Sequence, residues 1–199
     1  MNMLRAFIAI EIPAEIKKAI AVQTASLHKD AGRMVRWVVP ENTHLTLKFL
    51  GELSPANMGL LSQALQAECG QQAPFEIIVS GMGSFPNPRR PRVIWVGLNN
   101  PPDLNRLQRK VEAAAALLGY AAEDKPFSAH LTIGRVREQA TLDEMKQLQS
   151  ALAGLHIGEL GVFTARAVTL FKSELQPNGP LYTPLFSAQM GIKPEKEII

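Results

Sequence analysis

The tetrapeptide His-Leu-Thr-Leu at residues 44–47 recurs as His-Leu-Thr-Ile at residues 130–133. Two of the four histidines thus have threonine two places on, a coincidence expected by chance about once in a hundred such chains. On a strand, residues two apart share a face. Each copy therefore sets an imidazole beside a hydroxyl, with Leu45, Leu47 and Phe49, or Leu131 and Ile133, turned the other way into a core. By the same alternation Lys48 joins the face of His44 and Thr46, either as part of a positive cleft or at its solvated rim. Imidazole titrates near neutral pH, so two of them with two hydroxyl donors make an acid–base site suited to phosphoryl chemistry.

The two motifs lie 86 residues apart, and the same offset aligns much of the chain. Phe7 to Ile10 falls on Val93 to Val96, both strand-like apolar runs. Each leads through proline into a helical pattern, over residues 14–28 and 103–118. A capped helix then follows each His-Leu-Thr strand. Ser54-Pro55 opens the first, and Thr141 with Glu144, a capping box, opens the second. β-Rich stretches at residues 75–82 and 161–175 complete the repeats. This order predicts an α+β fold, internally duplicated, with two lobes that each carry an antiparallel sheet and helices. A pseudo-two-fold axis would relate them, and the active site would lie in the cleft between the sheets. One bilobal domain then spans residues 1–199, with lobes over about residues 1–85 and 90–175. Strands at residues 35–39 and 181–190 extend the sheets, the Pro- and Arg-rich segment 84–92 is the hinge, and residues 191–199 are a solvated end.

Composition narrows the function without choosing it. Hydrophobic residues make up 46% and charged residues 20% of the 199, enough apolar material for a core. A net charge of +3 permits an anionic partner but does not require one. The single Cys69 excludes an intramolecular disulfide and a cysteine-cluster metal site. The apolar run after Arg5 is too short for a signal peptide, and nothing reaches bilayer length, so a soluble cytoplasmic protein without membrane partners is expected.

The segments 5–13, 37–51, 90–95, 127–135 and 173–182 together resemble the two-histidine (2H) phosphoesterase superfamily. Specifically, they resemble its bacterial and archaeal RNA 2′,3′-cyclic phosphodiesterases, also called the LigT-like or 2′-5′ RNA ligase family. The resemblance implies hydrolysis of ribose 2′,3′-cyclic phosphate ends of RNA or small cyclic nucleotides to 2′-phosphates. It implies His44 as general acid, His130 as general base, and Thr46, Thr132 and Arg135 as phosphate contacts, with no metal and no cofactor. The repeat itself is too symmetric to order the two proton-transfer roles. One departure is Ala129, where the family often has proline before the second motif histidine; altered loop geometry is expected, with activity kept. Trp37 and Phe127 are possible base-stacking contacts, although aromatic residues beside strands more often belong to the core. Arg89, Arg90 and Arg92 could follow an RNA backbone or simply be solvated. His28 and His156, outside the repeat, read as ordinary structural residues. Two other functions fit the same cleft: 2′-5′ joining of RNA ends, and RNA-end binding without turnover. A duplicated cleft is complete in one chain, so a monomer is expected.

Overall fold

The N-terminal apolar run becomes β1 (Leu4–Glu11), with its five central residues buried in succession, as in a strand covered on both faces. The computed structural model describes residues 3–177 and 179–191; of the segment 191–199, residues 192–199 lie outside them. The helix expected over 14–28 is two, α1 (Ala14–Gln23) and α2 (Ala25–Ala31). They meet at Thr24, whose hydroxyl donates to the Ile20 carbonyl, a local bond that competes with regular helix. There follow β2 (Val35–Trp37), β3 (His44–Leu53) and α3 (Pro55–Gly70), the last capped by Ser54, whose side chain accepts from the Asn57 N–H. The second repeat begins after β4 (Phe75–Phe85). It contains β5 (Val93–Leu98), α4 (Pro102–Leu117), β6 (His130–Val136) and α5 (Leu142–Gly154), which opens on the expected capping box. The stretch 161–175 is divided between β7 (Glu159–Ala165) and β8 (Ala167–Gln176), and β9 (Gly179–Gln189) pairs along β8.

The strands form one antiparallel sheet in the order β7-β4-β5-β6-β3-β1-β8-β9, with β2 on the free length of β6. Along that order four strands lie on each side of the β3–β6 junction, β2 adding a fifth to the β6 side, and the junction is one residue pair, Leu45 opposite Leu131. The α+β duplication is thus present, and it is interlaced. β4, from the first repeat, pairs with β5 of the second, while β8 and β9 complete the half built on β1 and β3. Residues 1–85 and 90–175 therefore do not each close a lobe. Nor is segment 84–92 a hinge: it is the turn of a hairpin, with Phe85 opposite Val93 and the Arg92 N–H donating to the Phe85 carbonyl.

One sheet face packs against the helices, joining Ile8, Ile10, Leu45, Ile94 and Leu131 to Ile16, Leu61, Leu65, Leu104, Leu107 and Leu148. Among the described residues no helix is long and apolar enough to cross a membrane. The other face carries both motif histidines. Simple alternation holds through each motif and then fails, because each strand has a bulge in the same place. Ile8 pairs with Lys48 but Ala9 with Thr46, leaving Leu47 extra; Ile94 pairs with Gly134 but Trp95 with Thr132, leaving Ile133 extra. A bulge of one residue reverses the facing of everything beyond it.

Two expectations are corrected by that reversal. Phe49 is not in the core; it is 58% exposed on the face of His44, 6.3 Å from the Phe7 ring. Lys48 does not face the cleft. Its side chain is 1% exposed, turned toward the helices, with Nζ 2.5 Å from Glu112 Oε1 of α4 and hydrogen-bonded to the Ala121 carbonyl. In the second repeat the same bulge turns Arg135 outward and buries Gly134 under β2. A Cβ on Gly134 would lie 2.7 Å from Val35 Cγ1 and 2.9 Å from the Trp37 ring. Removing one partner of a buried ion pair strands the other charge. Lys48→Met should therefore lower unfolding free energy by about 3 kcal/mol in urea titrations, with kcat of the folded fraction within a fewfold of wild type. A tenfold loss of kcat without a stability change would instead put Lys48 in the site.

Candidate active site

The Leu45–Leu131 pair organises the site. Both leucines are buried on the helix side, so their neighbours His44, Thr46, His130 and Thr132 project from the opposite face. Extended by one residue each way, the antiparallel register sets His44 opposite Thr132 and Thr46 opposite His130. The two histidines then stand on a diagonal, about 7–8 Å apart at the backbone, a span that a phosphate group between the two rings can bridge.

Each ring is oriented in the same way. His44 Nδ1 donates to the Asn42 carbonyl and His130 Nδ1 to the Ser128 carbonyl, both at 2.7 Å. A carbonyl can only accept, so Nδ1 carries the proton and Nε2 is left as the nitrogen that gives or takes one. Asn42 is itself tied to the far edge of the sheet through its Nδ2 bond to the Pro180 carbonyl. Aromatic rings hold both imidazoles. Phe7 stacks on His44 at 4.6 Å, and Tyr182 meets it edge-on at 5.2 Å. Phe85 meets His130 edge-on at 5.0 Å, with Trp95 at 6.5 Å. Phe171, 6.5 Å from His44, matches Phe85 beside His130, and the two are 86 residues apart, so extending the offset from the motifs to the flanking strands would have found this pair. Tyr182 closes the family-like segment 173–182, but nothing in the 86-residue offset places it beside His44, since β9 carries it in. Trp95 lies against Gly83, where a Cβ would come within 2.5 Å of its ring.

Burial makes both imidazoles weak bases. His44 is pushed down to about 4, chiefly by desolvation, opposed by the Asn42 bond and aided by the positive charges of Lys17 and His130. His130 is lowered by desolvation and by Arg135, against the Ser128 bond. The influence of His130 on His44, and that of Arg135 on both His130 and Tyr182, is electrostatic and runs across the same face of the sheet. Beside His44 a cavity of about 350 Å³ is lined by Phe7, Glu11, Lys17, Phe171 and Tyr182.

Not all the sequence candidates converge here. His44, Thr46, His130, Thr132 and Arg135 share the cleft face, whereas Lys48 and Trp37 do not. Trp37 packs on the core side against His28, the ring centres 3.8 Å apart, and Phe127 packs on the main core. Among the described residues no group of three or more His, Cys, Asp or Glu side chains is placed to hold a metal ion.

A duplicated sheet with one His-x-Thr motif on each of its two central strands defines a two-histidine phosphoesterase scaffold. The family model described as LigT-like phosphoesterase matches twice, over residues 10–95 and 96–182, and the chain belongs to that family. It is 34% identical to the RNA 2′,3′-cyclic phosphodiesterase of Methanothermobacter thermautotrophicus, over 90% of this chain and 95% of that one. It is 35% identical to the protein of the same name from Archaeoglobus fulgidus, over 92% of this chain and 98% of that one. Among solved structures, Escherichia coli LigT complexed with 3′-AMP superposes with a TM-score of 0.75 at 28% identity, covering 95% of this chain and 99% of LigT.

The depressed His44 value also bears on stability. An unfolded imidazole titrates near 6.5, so between that pH and about 4 the unfolded chain holds a proton that folded His44 does not. Stability is then fully present above about pH 6.5 and falls as the pH is lowered toward 4. The loss is on the order of 3 kcal/mol. Thermal melts across that window should show a shallower decline for His44→Gln than for wild type. Parallel curves would mean that His44 titrates normally.

Proposed function

We propose that this chain is an RNA 2′,3′-cyclic phosphodiesterase that opens the cyclic phosphate to a 2′-phosphate using two imidazoles and no metal. The observation that carries the reading is the pair of Nδ1-anchored imidazoles on either side of the Leu45–Leu131 axis. In-line displacement at phosphorus needs a proton removed from water on one side and one delivered to the departing ribose oxygen on the other.

His130 Nε2 takes the proton from water as its oxygen bonds to phosphorus. His44 Nε2–H gives a proton to the 3′-oxygen as the phosphorus–oxygen bond breaks, leaving the phosphate on the 2′-oxygen. The order of these two roles rests on the family resemblance. The Thr46 and Thr132 hydroxyls donate to the non-bridging oxygens, and Arg135 supplies fixed positive charge where negative charge gathers. Burial and mutual repulsion oppose two cationic rings at once. An anionic phosphodiester between them favours protonation of one, so the pair holds the single proton that an acid and a base need together. The cavity beside His44 gives the ribose room on the leaving-group side.

An RNA 5′-hydroxyl in place of water would form a 2′-5′ linkage by the same transfers, but water is far more concentrated than any RNA end. With a nucleoside 2′,3′-cyclic phosphate in EDTA, the expected sole product is the 2′-phosphate. His44→Ala and His130→Ala should each lower the rate by about 10²–10⁴ while the far-ultraviolet circular dichroism is unchanged. Full activity in either variant, or loss of wild-type activity in EDTA, would overturn the mechanism.

A further inference from the structure

Arg36 on β2 lies directly opposite Arg135 on β6, and directly opposed residues of an antiparallel pair project from the same face. The neighbours of Arg36, Val35 and Trp37, pack on the core side, so Arg36 stands on the face that carries His130. β2 takes up the length of β6 that β3 leaves as the two diverge past Leu131. This basic rung belongs to one half only: 86 residues away, the counterparts of Arg36 and Arg135 are Ala122 and Phe49.

Beyond the rung the positive surface continues. Arg33, Arg89, Arg90, Arg92 and Arg137 are all exposed. Arg90, Arg92 and Arg137 line a shallow cavity of about 160 Å³, with Glu138 as the one acidic side chain there. Among the described residues, none of these seven arginines, Arg36 and Arg135 included, is in an ion pair. The backbone of Arg33, Arg89 and Arg90 is nonetheless tied down, and one guanidinium is engaged in doing so. Arg137 Nε donates to the Arg33 carbonyl, Gln149 Nε2 donates to the Arg89 carbonyl, and Asn87 Oδ1 accepts from the N–H groups of Arg89 and Arg90. Like charges gathered with a single carboxylate among them repel, and a polyanion relieves that repulsion while releasing its own counterions.

We propose that this surface, with Arg36 at its head, binds the backbone of a single RNA strand upstream of its cyclic phosphate end. Arg36 then sets the preference for an RNA end over a mononucleotide. The inference rests on the proposed function for the place of the terminal phosphate beside Arg135. From the ribose beside His44 the strand crosses the cleft to the His130 side, because only that half carries the basic rung.

The test measures fluorescence anisotropy of a short labelled oligoribonucleotide ending in a 3′-phosphate, with wild type, Arg36→Gln and Arg36→Lys. In parallel, hydrolysis is followed for the same oligomer ending in a cyclic phosphate and for cytidine 2′,3′-cyclic phosphate. Arg36→Gln should weaken oligomer binding about five- to tenfold and reduce the salt slope of log Kd by about 0.7. It should lower kcat/KM for the oligomer alone, and Arg36→Lys should restore much of both. Equal oligomer affinity and salt slope in wild type and Arg36→Gln would overturn the inference, whether or not cyclic phosphate is turned over. Binding that depends on Arg36, with no cyclic phosphate opened by wild type, would uphold this surface and overturn the proposed function.

Discussion

The site hangs on one contact, the pairing of Leu45 with Leu131 where the two halves of the sheet meet. Both leucines are buried in the helix-side core, so hydrophobic burial holds the junction and fixes which way its neighbours point. A one-residue slip of either strand would send its imidazole into the core and a leucine into the cleft. Burial of two leucines thereby sets the register of the two histidines that precede them. The interlacing of the halves supports the junction from both sides: β4 crosses to β5, and β8 to β1. Neither half of the sheet is complete without strands from the other repeat.

The paired bulges at Leu47 and Ile133 do the second part of the work. Each lets a strand show an alternating motif to the cleft and then change sides. In the second repeat this delivers Arg135 to the face of His130 and lets Gly134 accept the packing of Trp37. In the first it sends Lys48 into the helix layer, where Glu112 compensates its charge, and leaves Phe49 in the position that Arg135 occupies opposite. The same backbone device thus breaks the symmetry of the duplicated cleft, with Phe49 on one wall where Arg135 stands on the other.

Much of this was legible in the sequence, for identifiable reasons. The α+β duplication showed because hydrophobic pattern and helix caps repeat with the motif offset; Ser54 and the Thr141–Glu144 box cap helices as read. The interlacing was hidden because strand order across a sheet depends on contacts distant in sequence, so a Pro-rich hairpin turn looked like a hinge. Lys48 and Phe49 were misplaced because alternation assumes a regular pleat, and one extra residue leaves no mark in residue types. Trp37 faces the core because β2 adds to β6 in the register that buries it over Gly134, a pairing that three residues of strand cannot announce. The aromatic support of His44 by Tyr182 depends on β9, which lies outside the repeat.

The central claim is that His44 and His130 act as one unit on one phosphate. A double-mutant cycle on kcat/KM for a nucleoside 2′,3′-cyclic phosphate tests it, using His44→Ala, His130→Ala and the double variant. If the rings share one displacement, losing either removes most of what the pair contributes, and the double variant should be no more than about tenfold worse than the poorer single one. Losses that multiply through the double variant would contradict the account, because they would mean two imidazoles acting independently.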